Sequence, residues 1–154
     1  MRYLTLPGRI LFALIFILSS VTLFQARTIG YAASHGVPAA HVLVPIAGIL
    51  ALSGGLLVAF GFATRLGALL LVLFLVPVTL MMHNFWAVAD PAARQMELVN
   101  FMKNLSMLGG ALVIFAFGAG AFSVDAWLVR QRRAHGRTVP RFLATPTTPT
   151  TTAT

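Results

Sequence analysis

Four long apolar runs alternate with short polar connections along this chain of 154 residues. The runs cover about residues 10–26, 42–63, 66–83 and 101–122. Each approaches the roughly 20 residues that a helix needs to cross the hydrocarbon core of a membrane. The pattern predicts an all-α membrane protein, with residues 1–128 forming a four-helix transmembrane bundle. Pro77 should kink the third helix, which neighbouring helices tolerate in a bundle.

The chain changes character after residue 128. It first becomes basic and then ends in the sequence TPTTPTTTAT. A Thr/Pro-rich segment has little apolar area to bury, so it is not expected to pack into a core. We predict that residues 129–154 form a disordered cytoplasmic tail.

The composition excludes a soluble domain of this size. Hydrophobic residues make up 58% of the chain, charged residues make up 9%, and the mean hydropathy is +0.90. Cysteine is absent, which excludes dithiol exchange and thiolate metal ligation by this chain.

The positive charges predict the orientation of the bundle. Lys and Arg are retained on the cytoplasmic side during insertion, so we expect both termini to be cytoplasmic. The inner side then carries Arg2, Arg9, Arg65, Arg130, Arg132, Arg133, Arg137 and Arg141, and the outer side carries Arg27, Arg94 and Lys103. The basic inner segments would contact anionic membrane lipids, and we expect no nucleic-acid partner.

Small residues recur at a spacing of four in the second run, at Ala47, Ala51, Gly55 and Ala59. Gly110 offers a similar small position in the fourth run. Such positions let helix backbones approach closely within a membrane. We interpret them as structural packing positions, and they leave self-association into a homo-oligomer open.

Asp125 is the one acidic residue predicted at the inner end of the bundle. The basic residues predicted at the same level are Arg65 and Arg9. We therefore expect a structural ion pair between Asp125 and one of these two arginines.

Polar residues cluster where the third run ends and the fourth begins. His83 and Asn84 close the third run, while Lys103 and Asn104 lie near the start of the fourth, and Trp86 would anchor the interface between them. This cluster is a candidate ligand or partner site, in which His83 or Lys103 would donate to a quinone carbonyl or to another amphiphile. A hydrogen-bond network that locks the two helices together explains it equally well, and Lys103 alone would reach the head groups by snorkelling.

Two further features belong to the outer side. Asp90 is suited to cap a short amphipathic helix on the outer membrane surface. His41 and His83 both map to this level, but two histidines without a spacing motif are a weak signal. We therefore disfavour a haem and expect no metal site.

Several short motifs resemble the DoxX family of small bacterial membrane proteins, over about residues 8–127. The most specific are HNFW at residues 83–86 and FMKNLSMLGG at residues 101–110. Weaker ones are Gly8-Arg9-Ile10, Gly36-Val37-Pro38, Gly54-Gly55, Arg65 and Ser123-Val124-Asp125-Ala126. The resemblance implies a four-helix bundle in the bacterial cytoplasmic membrane and an association with membrane oxidoreductase complexes.

These observations lead to three functional hypotheses. The first is an accessory subunit that supports a redox or quinone-linked system through a membrane redox partner protein and is not catalytic by itself. The second is a quinone-reactive oxidoreductase subunit, in which His83 moves the proton because imidazole titrates near neutral pH. A small transporter or channel is less favoured, because the sequence shows no continuous polar path through the spans.

Overall fold

The computed structural model describes residues 2–136 and residue 138, and this part of the chain is helical without a strand. The helices are α1 (Thr5–Ser20), α2 (Ala26–Ser34), α3 (Ala40–Phe60), α4 (Thr64–Met82), α5 (Pro91–Phe117) and α6 (Val124–Ala134). Short 3₁₀ turns occupy Arg2–Leu4, Val21–Phe24 and Phe85–Ala87.

Four segments are long and apolar enough to cross a membrane: Thr5–Phe24, Ala40–Phe60, Thr64–Ala87 and Pro91–Phe117. The predicted all-α, four-helix transmembrane fold is confirmed. The orientation stays a prediction, and we use it to name the two ends. The inner end holds the start of α1 and α6, and the outer end holds α2.

The fourth span differs from the prediction. Asp90 caps a helix, because its Oδ2 accepts a hydrogen bond of 2.7 Å from the backbone N–H of Ala93. That helix does not stop at the surface but continues to Phe117 as α5. Pro91 occupies the first turn, where a missing N–H costs little, and no later proline interrupts the helix.

Close helix packing builds the centre of the bundle. α3 packs against both α1 and α4, and α5 packs mainly against α4. A Cβ atom added at Gly54 would lie 2.9 Å from the carbonyl oxygen of Gly67, so the backbones of α3 and α4 nearly touch there. Gly55 faces α1, where an added Cβ would lie 2.9 Å from Cγ1 of Ile17.

The other small residues of the predicted packing positions lie at or beside the same core. Ala51 is fully buried, and Ala47 and Ala59 pack against the buried cluster. Gly110 of α5 faces α1, since an added Cβ would lie 2.7 Å from the ring of Phe12.

Asp125 closes the inner end of the bundle as a helix cap. Its carboxylate accepts hydrogen bonds from the backbone N–H groups of Ala63 at 2.8 Å and Thr64 at 3.0 Å. The hydroxyl of Thr64 donates a third bond at 2.9 Å. A carboxylate at the N-terminus of α4 satisfies otherwise free N–H groups and interacts favourably with the helix dipole.

The arginines near this cap bind backbone carbonyls. Arg9 is buried and donates to the carbonyl oxygens of Ala59, Ala119 and Phe122. Arg65 donates to Ala116 at 3.2 Å. In the described part of the chain neither arginine forms a salt bridge with Asp125, so a helix cap takes the place of the predicted ion pair.

Gly61 lets this inner end close. It has φ of 67°, a left-handed conformation that favours glycine, and its carbonyl accepts from the N–H of Asp125 at 2.8 Å. An added Cβ would lie 2.6 Å from Cβ of Ser123. Close approach and backbone conformation together require glycine at this turn.

The predicted boundary at residue 128 falls within α6, which runs to Ala134. Residues 137 and 139–154, which make up most of the predicted tail, lie outside the described residues. The disordered tail therefore stays a prediction.

Candidate functional site

Polar side chains line one face of α5 near the outer end. Glu97, Asn100 and Asn104 are spaced three and four residues apart, which places them on the same side of the helix. At 1.5 Å per residue this row descends about 10 Å from Glu97 to Asn104. Because α5 packs mainly against α4, the row runs close to the α4–α5 contact.

His83 joins α4 to the upper end of this row. Its Nδ1 lies 2.8 Å from Oε2 of Glu97, and both side chains are partly buried. His83 ends α4, while Glu97 lies seven positions after the cap Asp90. The contact fixes the register of the two helices at the outer end.

Lys103 points towards the same row. Its Nζ donates a hydrogen bond of 3.2 Å to Oδ1 of Asn100. Because Asn100 lies about one turn closer to the outer end of α5, this bond directs the ammonium towards the membrane surface. The residue is exposed, as expected for a lysine that snorkels. We call His83, Glu97, Asn100, Lys103 and Asn104 the outer seam.

Asn104 is the deepest residue of the seam, and its side chain makes the fewest hydrogen bonds. It is 5% exposed and forms no side-chain hydrogen bond with any residue that the structure describes. Every fully enclosed side-chain nitrogen or oxygen in that part of the chain has a partner. The amide of Asn104 therefore still touches accessible space, where it offers a donor and an acceptor.

The structure places the other two predicted site residues beside the seam. Trp86 is 55% exposed and makes edge-to-face contacts with Phe85 and Phe101, at centroid distances of 5.2 and 5.9 Å. Asn84 precedes this aromatic turn, and its carbonyl accepts from the N–H of Ala87. The sequence suggested a single cluster, but these two residues belong to a neighbouring aromatic group.

Sequence reasoning underestimated Glu97 and Asn100. Neither residue was among the predicted site residues, yet Glu97 is the direct partner of His83. The spacing of Glu97, Asn100 and Asn104 was the available signal, and it becomes informative once the helix is known to start at Pro91. Within the described residues no group of three or more His, Asp or Glu side chains is arranged to hold a metal ion.

An apolar groove on another side of α4 was not foreseen. It has a volume of about 220 Å³ and lies between the outer halves of α3 and α4, next to α2. Sequence patterns could not reveal it, because its residues are as apolar as those that face lipid.

A family model of the SURF4 family matches residues 1–129, which is most of the chain. The chain belongs to the SURF4 family. Inner membrane protein YphA of Escherichia coli is 31% identical over 124 residues, covering 79% of this chain and 88% of that protein. Inner membrane protein YqjF of the same organism is 33% identical over 129 residues, covering 80% and 90%.

The chain is also similar to the ER-derived vesicles protein ERV29 of Saccharomyces cerevisiae. It is 31% identical over 77 residues, which cover 50% of this chain and 24% of that protein. No solved structure matches the chain.

These comparisons correct the DoxX resemblance, which was wrong. The two redox roles predicted for the chain, an accessory subunit of a redox or quinone-linked system and a quinone-reactive oxidoreductase subunit, were wrong as well. Some of the motif residues are the close-packing glycines Gly54, Gly55 and Gly110 and the aromatic residue Trp86, and residues of these kinds recur in membrane bundles for physical reasons. The predicted location is confirmed: the protein is a multi-pass protein of the bacterial inner membrane. Contact with lipid follows from that location, and self-association stays a prediction.

Proposed function

We propose that this SURF4-family protein is a membrane-embedded binding protein that recognises a small anionic group at the outer seam. The observation that carries the proposal is Asn104, a residue only 5% exposed whose side-chain amide has no hydrogen-bond partner in the described residues. The amide atoms still reach accessible space, so they can bond to a ligand that enters the seam.

The charges around Asn104 favour an anionic ligand. Glu97 is already occupied by His83 at 2.8 Å, whereas Lys103 is held by a neutral amide oxygen. The ammonium therefore keeps donor capacity for a second acceptor. A carboxylate or phosphate group carried on an apolar tail fits this arrangement, because the tail would stay in the lipid while the head reaches the seam.

The bonding pattern of the seam suggests a binding role for each residue. Lys103 would supply the charge-assisted hydrogen bond, and the amide of Asn104 would orient the group from below. Asn100 would hold Lys103 in place, and the His83–Glu97 pair would keep α4 and α5 in register.

Binding of decanoate tests the proposal, with decanol as the uncharged comparison. The purified full chain in a mild detergent would be titrated with each probe, and binding would be followed by isothermal titration calorimetry. We expect decanoate to bind more tightly than decanol. Lys103→Gln and Asn104→Leu should each weaken decanoate binding by about tenfold, since a hydrogen bond to a charged group contributes about 1.5–3 kcal/mol.

Ser106→Ala is the matched control on the same helix. Ser106 is exposed, and its hydroxyl bonds within the helix to the carbonyl of Met102 at 3.0 Å. Wild-type affinity in both Lys103→Gln and Asn104→Leu would refute the proposal and leave the seam as a helix-locking network.

A further inference from the structure

The apolar groove beside α4 has the form of a site for one lipid chain. Its walls come from the first half of α3 and the second half of α4. Along α4 it extends from Leu73 to Met82, about 14 Å at 1.5 Å per residue. This length is close to half of a hydrocarbon core of about 30 Å, the depth of one leaflet.

The groove opens sideways towards the membrane. Leu43, Ile46 and Leu73 line it and are 43%, 45% and 53% exposed, so they form its lips, while the buried Val44 and Phe74 lie deeper. A volume of about 220 Å³ exceeds the roughly 150 Å³ of an engineered apolar cavity that binds benzene. Part of an acyl chain would therefore fit inside it.

The outer end of the groove carries polar chemistry on α2. Thr28 is the single polar side chain among the described residues that line the groove, and its hydroxyl has no hydrogen-bond partner in that part of the chain. The exposed Arg27 comes directly before it. An unpaired hydroxyl and a guanidinium at the membrane surface are complementary to a phosphate group.

We infer that this groove binds one acyl chain of a phospholipid with an anionic head group. The chain lies between α3 and α4, and the phosphate bonds to Arg27 and Thr28. The site lies on a different side of α4 from the outer seam, and the inference does not depend on the function proposed there. Met81 and Met82 line the outer end of the groove, where their flexible side chains can adapt to acyl chains of different shape.

The experiment compares two lipids that share dioleoyl chains, phosphatidylglycerol and phosphatidylcholine. Each is titrated into the delipidated full-length protein in detergent, and bound lipid is counted by native mass spectrometry. We expect phosphatidylglycerol to bind about fivefold more tightly, the effect of one arginine near a membrane surface. Arg27→Gln should remove that preference.

Ala47→Phe tests the groove itself, because Ala47 lines it and the larger ring would fill it. We expect affinity for phosphatidylglycerol to fall about tenfold, because the ring would displace part of the acyl chain from the groove. The control is Val113→Phe on α5, where the residue is 56% exposed and lies outside the groove. Asn104→Leu should also bind phosphatidylglycerol normally, which separates this site from the outer seam.

Any of three results would overturn the inference. Wild-type affinity for phosphatidylglycerol in Ala47→Phe would show that the acyl chain does not lie in the groove. Equal affinity for the two lipids, or an unchanged preference in Arg27→Gln, would show that α2 does not hold the head group. If Ala47→Phe does not fold, Thr28→Val and Arg27→Gln decide the question, because neither residue is buried.

Discussion

Replacing Asn104 with leucine should make the protein more stable in the absence of ligand. The substitution keeps the number and branching of the side-chain heavy atoms, so it leaves no cavity. It removes the amide of a residue that is 5% exposed, and this amide lacks a hydrogen-bond partner among the described residues. Most substitutions of buried residues destabilise a protein, which makes an increase in stability a distinctive result.

The magnitude follows from the burial of the amide. An unpaired buried polar group costs about 1–3 kcal/mol. The amide keeps some contact with accessible space, so we take the lower end and expect the free energy of unfolding to rise by about 1 kcal/mol. For a protein of this length that corresponds to a shift in Tm of about 2–4 °C.

A bound ligand should cancel the stability advantage of the leucine variant. At a concentration of 100 times Kd, a ligand stabilises the folded state by about 2.7 kcal/mol. Wild type would gain this amount from decanoate, whereas Asn104→Leu, with about tenfold weaker binding, would gain only about 1.4 kcal/mol. The leucine variant should therefore be about 1 kcal/mol more stable without decanoate and about as stable as wild type with it.

Thermal unfolding in detergent, with and without decanoate, measures both effects. Decanol at the same concentration controls for a general effect of the amphiphile on the detergent micelle. Destabilisation of the unliganded variant by more than about 1 kcal/mol would mean that the amide has a stabilising partner within the protein. An equal gain in stability from decanoate in both proteins would refute the ligand role of Asn104.

Three further substitutions and one matched control probe the bundle. Asp125→Ala removes the acceptor of three hydrogen bonds and should lower the free energy of unfolding by about 2 kcal/mol. Gly54→Ala should cost about 1–3 kcal/mol, because its Cβ would press on the backbone of α4, whereas Gly109→Ala faces open space and should be neutral or slightly stabilising. His83→Gln should cost less than about 1 kcal/mol, since its contact with Glu97 is partly exposed.

Thermal unfolding in one detergent measures all three, and Gly109→Ala is the matched control for Gly54→Ala. A neutral Asp125→Ala would show that the cap contributes nothing to α4. Equal effects at the two glycines would mean that α3 and α4 are not in close contact. A loss of several kcal/mol in His83→Gln would make the His83–Glu97 contact a main support of the bundle.

Some features of the candidate site could be predicted from the sequence, because they depend only on neighbouring residues along the chain. Asp90 and Pro91 are an ordinary helix start, and His83 lies at the end of an apolar run, so both positions were correctly predicted. The distinction between the outer seam and the aromatic group around Trp86 was not predictable. It depends on how far α5 is rotated about its axis when it packs against α4.

The four spans, the helical fold and the membrane location were readable from the sequence, because the length and hydrophobicity of a segment decide whether it crosses a bilayer. The partners of Asp125, the burial of Asn104 and the apolar groove were decided by tertiary structure alone. In water, an apolar stripe reveals which face of a helix is buried. In a membrane, the lipid-facing surface is as apolar as the core, so that signal is lost and packing determines which faces meet.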